Sequence, residues 1–192
     1  RVAALAPDAQ DLEGMRPDTD TAPDPETLIL DAFAEFEGVR ARPLKKPLTL
    51  PEDTEPQDRL NRLHWAARQA LAQAEADILI CFELDTTGKR LTLRFLPLGI
   101  QNEDPAGMFH PAQALVLPVQ PDPALMALVA AVTLTATIPL TDVKKSRLSR
   151  VLPQAMERAA PAVEALGMAP DMSDRDRTIA RLFFANLLTL QS

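Results

Sequence analysis

The sequence predicts an α/β fold: a mixed sheet of about four or five strands packed with helices, followed by a helical carboxyl-terminal subdomain. Three observations lead there. Residues 77–97 alternate apolar and charged side chains around a Thr-Thr-Gly-Lys turn, the signature of a hairpin. Before it, two segments place apolar residues three and four apart and flank a short Val-Arg alternation, which makes helix, strand, helix. After residue 122 the pattern is helical to the end. This divides the chain into an α/β domain over 1–121 and a helical subdomain over 122–192.

Val2 to Ala6 is short and apolar enough for a strand, and the Asp-, Thr- and Pro-rich tract near 7–25 has too few apolar residues to pack, so it reads as a mobile polar loop. Pro25 suits a first helical turn, Glu26 complements the helix dipole, and Leu28, Ile29, Ala32, Phe33 and Phe36 form one stripe ending at Gly38. Val39 to Leu44 alternates like an edge strand, and a proline-bounded loop follows. Asp58 is the expected cap of a second helix, whose stripe is Leu60, Leu63, His64, Ala67, Leu71 and Ala74.

In the hairpin, an even-numbered loop pairs Leu84 with Leu91, Phe82 with Leu93 and Ile80 with Phe95, which leaves one face wholly apolar. The other face sets Cys81, Glu83 and Asp85 against Arg94, Thr92 and Arg90. Ala114 to Val119 reads as a further strand. Helices are expected over Pro123 to Ile138, over Val143 to Leu166 with Pro153 and Pro161 kinking or splitting it, and over Ser173 to Leu190 with Ser173 as cap.

Eighteen prolines against six glycines punctuate these segments, and Leu and Ala must build most of the core because aromatics are 4 % and tyrosine is absent. A net charge of −7 opposes a polyphosphate partner, so nucleic acid is not expected. The single cysteine excludes an intrachain disulfide and a Cys-rich zinc site. The longest apolar run, Ala124 to Ile138, is too short to span a bilayer, so no membrane span is expected and the location is cytoplasmic, or periplasmic if a signal peptide has been removed.

The segment from about residue 28 to 96 resembles the amino-terminal α/β domain of TolB and related domains that precede tetratricopeptide repeats in bacterial proteins. The residues that carry the resemblance are Gly38-Val39-Arg40-Ala41-Arg42, the Ala76-Asp77 entry to the strand, Glu83, and Arg90-Leu91-Thr92-Leu93-Arg94-Phe95. The resemblance implies a binding or assembly module, and it supplies no catalytic residue.

The candidate sites follow from chemistry. Cys81 with His64 or His110 as base would be a nucleophile, but a mid-strand cysteine between apolar neighbours is ordinarily a small buried hydrophobe. Neither histidine has a second ligand at metal spacing, and no Gly-rich phosphate loop is present, so no catalytic residue, metal or cofactor is assigned. Lys144, Lys145, Arg147 and Arg150 form a basic cluster that reads as a solvated helix face. The leading expectation is a non-enzymatic interaction or assembly module of a larger bacterial protein. Its partner-binding residues would be Glu83 and Arg94 on the charged sheet face, and Phe184 and Leu188. The last two lie off the core stripe of the final helix (Ile179, Leu182, Phe183, Leu187, Leu190) and would meet a protein partner, the chain's own helical repeats or a second copy in a homo-oligomer. The competing expectation is a hydrolase or transferase whose site is the loop over 101–110, with Asn102, Glu103, Asp104 and His110.

Overall fold

Strands and helices alternate up to residue 84, two further strands follow, and the rest is helical, in the computed structural model. It describes residues 2–5, 24–34, 40–44, 56–85, 87, 89–98, 113–136, 148–169 and 172–189. The elements are β1 (Val2–Leu5), α1 (Pro25–Ala34), β2 (Ala41–Pro43), α2 (Pro56–Ala74), β3 (Ile78–Leu84), β4 (Arg90–Pro97), β5 (Leu115–Pro118), α3 (Pro123–Thr135), α4 (Leu148–Met168) and α5 (Asp174–Thr189). The α/β class holds. The antiparallel part of the sheet is β3, β4 and β5. The short β1 and β2 continue it by parallel pairing, giving the order β2-β1-β3-β4-β5.

The register is set by alternation. Ile80 faces Phe95, Phe82 faces Leu93 and Leu84 faces Leu91, because any one-residue slip would turn these apolar side chains away from the core. With Leu115 and Leu117 of β5 they form one apolar sheet face. The opposite face begins apolar, where Leu79 and Leu96 pack under Ala67 and Leu71 of α2, and ends charged. Helices α1 and α2 thus lie on opposite faces. That follows from right-handed crossovers that step from β1 outward to β2 and then back past β1 to β3.

The apolar sheet face, α1, α3, α4 and α5 share a single core, so the proposed boundary at 121–122 marks a change of element type without a break in packing. Helix α3 is buried from Leu125 to Val132, and it packs against α1, α4 and α5. Asp122 caps it by accepting from the Leu125 N–H at 2.8 Å, and Pro123 starts it. Thr133 and Thr135 can be buried because their hydroxyls donate to the Val129 and Ala131 carbonyls of the preceding turn.

Three boundary expectations are corrected. Helix α2 starts at Pro56, so Asp58 lies inside its first turn rather than capping it; a proline at the start loses no hydrogen bond there. Helix α4 runs unbroken through Pro153 and Pro161. Both prolines are exposed, so the ring and the carbonyl left without a donor sit on the water side, where solvent replaces the missing bond. In α5 the buried line is Ala180, Phe183 and Leu187, while Leu182, expected in the core, is 41 % exposed. Phe36, Gly38, the tract over 7–23 and the basic residues Lys144, Lys145 and Arg147 lie outside the described residues.

The α4–α5 corner is tightly made. Ser173 caps α5, accepting from the Asp176 N–H at 3.2 Å and donating to the Asp176 carboxylate at 2.6 Å. Arg177 donates to the Ala169 carbonyl at 2.6 Å, satisfying an acceptor just past the end of α4. Gly167 leaves room for the Arg181 guanidinium, which a Cβ there would meet at 2.5 Å.

Candidate functional site

Parallel pairing brings the carboxyl ends of β1, β2 and β3 to one edge of the sheet, with the first turns of α1 and α2 at the same edge. Strand order 2-1-3 makes the β1–β3 junction a topological switch point, the place where open α/β sheets present side chains to ligands. Cys81 is the last residue of β3 paired with β1, opposite Leu5. Glu83 therefore projects beyond the end of β1.

On that face Cys81 lies across from Arg94, and Glu83 across from Thr92, which in turn lies across from Val116 of β5. Glu83 and Arg94 are diagonal neighbours, close enough for opposite charges to attract. Glu83 is exposed, and Cys81, Thr92, Arg94 and Val116 are half-buried. Helix α2 covers the beginning of β3 and the end of β4, so its apolar contacts stop at Cys81.

The other two charges of the expected row serve the fold. The Asp85 carboxylate accepts from the Thr87 hydroxyl at 2.7 Å and from the Lys89 and Arg90 N–H groups at 2.9 and 3.1 Å, closing the hairpin turn. Slight desolvation acts upward on its pKa, but the Thr87 and backbone hydrogen bonds and the Arg90 charge together hold it below the usual carboxylate range. Arg90 reaches Asp176 at the start of α5, at 3.9 Å. The face is reduced to Glu83 and Arg94.

Burial pushes the Cys81 thiol up to about 12 despite the nearby Arg94 charge, which acts downward. A thiol so placed is protonated at neutral pH and is a poor nucleophile, as its apolar surroundings suggest. His64 lies in α2 on the same side of the sheet. His110 and the whole loop over 101–110 lie outside the described residues, as does the side chain of Arg150. Among the described residues no group of three His, Cys, Asp or Glu is placed to hold a metal ion. Among them, too, no helix is long and apolar enough to cross a membrane.

The structure separates the two residues expected to act together on α5. Phe184 is half-buried and packs on the chain's own core, as does Ile179, whereas Leu188 is 47 % exposed. Nearby, Ala180 is buried in that core and Ala185 is exposed. Leu182 and Leu188 flank the buried line on opposite sides of the helix.

Sequence reasoning missed Trp65, which stands 65 % exposed in the middle of the outer face of α2. Its signal was present: Asn61, Arg62, Arg68 and Gln69 occupy the positions three and four residues away, where a core-facing tryptophan would have apolar neighbours. No family model, curated protein or solved structure matches this chain.

Proposed function

We propose that the chain is a non-enzymatic protein-interaction or assembly module that docks a partner on the charged sheet face through Glu83 and Arg94. One observation carries the reading. At the switch point, an acid and an arginine sit as diagonal neighbours on a sheet face that α2 leaves uncovered, flanked by half-buried Thr92 and Val116. Partly exposed opposite charges beside small apolar and hydroxyl groups fix the register of a protein contact, and arginine is favoured at such contacts. The order α1, β2, α2, β3, β4 over residues 25–97 also supports a TolB-like domain, and with it an assembly role in a bacterial protein. Leu188 is a secondary contact at the end of α5.

The test is affinity capture from an extract of the source cells with the wild-type chain and with E83K/R94E, alongside thermal melts of both. A partner retained by wild type and lost by the variant, with the melting temperature unchanged, is the expected result. Identical recovery on both would refute the reading. F184S/L188S separates the α5 contribution: because Phe184 packs on the core, its loss lowers stability, whereas L188S alone leaves it unchanged.

A further inference from the structure

The outer faces of α2 and α4 carry complementary patterns. On α2, Arg62 and Arg68 lie three residues to either side of the exposed Trp65, so the two cations are about 9 Å apart along the axis and within about 60° of the indole around it. On α4, Glu157 and Glu164 lie four and three residues to either side of Pro161, all three exposed, so the two acids are about 10.5 Å apart and on the same side as the proline. An indole ring is a flat apolar surface on which a proline ring stacks, and guanidinium–carboxylate pairs at both ends would hold it in place. Asp58 and Arg158 bring one opposite charge to each face, so the Trp65 face carries two cations against one acid and the Pro161 face two acids against one cation.

We infer that the Trp65 face of α2 binds the Pro161 face of α4 on a second copy of this chain. The inference is independent of the Glu83–Arg94 surface. Helix α2 packs on one face of the sheet, and α4 belongs to the helical layer on the other. Each copy therefore offers the two surfaces on opposite sides. Reciprocal pairing of two copies is excluded by that placement, and the contact repeats head to tail, building rings or open runs rather than a two-fold dimer. The net charge of −7 repels copies at a distance, so association is weak and grows with concentration.

Sedimentation velocity from micromolar to near-millimolar concentration tests this. Wild type is expected to shift to larger species with concentration. W65A should weaken association about tenfold or more, since a central tryptophan flanked by arginines is the usual energetic centre of an interface. R62E/R68E alone and E157R/E164R alone should each remain monomeric, and an equimolar mixture of the two should associate again. Wild type that stays monomeric throughout overturns the inference, as does a mixture that does not recover association. All of these side chains are exposed, and a circular-dichroism melt checks that each variant is folded. If one charge variant does not fold, the concentration series on wild type against W65A still decides.

Discussion

Cys81 offers the sharpest test of the sheet's burial pattern. Its thiol, packed at the edge of the α2 cluster, is pushed from an ordinary 9.0 to about 12. Alkylation proceeds through the thiolate. At pH 8 an ordinary thiol is about 9 % ionised and one at 12 about 0.01 %, so the folded chain should react with iodoacetamide roughly 10³-fold more slowly than the urea-unfolded chain. The assay is intact mass against time at pH 8, native and unfolded. A native rate within tenfold of the unfolded rate, in protein that still melts cooperatively, would show that the thiol is open to water and that α2 does not seal this part of the sheet. Linkage has a matching consequence. Between pH 9 and 12 the folded state keeps a proton that the unfolded state has lost. The burial contribution is thus fully present below about 9 and declines as pH rises toward 12, by at most about 1.4 kcal/mol per pH unit from this group. Urea midpoints across that range should fall more steeply for wild type than for C81A.

Three further outcomes probe other parts of the fold. F183A removes a buried ring whose centroid lies 6.0 Å from that of Phe95, and should cost about 3–5 kcal/mol in urea unfolding; a loss under about 1 kcal/mol would mean that α5 is not docked on β4. D85A should cost about 1 kcal/mol at pH 7 through its turn hydrogen bonds. Because the Asp85 pKa is lowered in the fold, that difference should be present above the ordinary 3.8 and vanish as pH falls below it, which acid titrations of both proteins would read. S173A deletes the α5 cap and should cost about 1 kcal/mol, with an unchanged urea midpoint refuting the cap.

The hairpin was legible in the sequence because period-two alternation excludes the one-residue slips that would turn Ile80, Phe82, Leu91, Leu93 and Phe95 out of the core, and the even-numbered loop between the strands chooses among the rest. The crossover strands were legible as elements, but their order was not. Nothing local says that β3 passes β1 to pair on its far side, and that step creates the switch point beside Glu83. Helix α5 shows the limit of pattern reading. Its apolar residues are spread around most of the helix, and the choice of Ala180 over Leu182 for the core is made by packing. The smaller side chain admits close approach at a corner where Gly167 already yields space to Arg181. Pro153 and Pro161 did not split α4 for a related reason, since whether a proline breaks a helix depends on whether its freed carbonyl meets water. Of the candidate site, the residue types were visible, while the division of labour was not: Asp85 and Arg90 turned out to hold the turn and α5.

The all-round burial of α3 bears on how the chain is made on the ribosome. A helix apolar on every side has no stable resting place until the surfaces around it exist, and α4 and α5 emerge only after it. Until then Leu91, Leu93, Phe95, Leu115 and Leu117 stand uncovered on a nascent sheet, the condition in which chains associate wrongly or recruit chaperones. A fragment ending near residue 121 should therefore aggregate rather than fold, and slowing translation across α3 would prolong the exposure that completion of α4 and α5 ends.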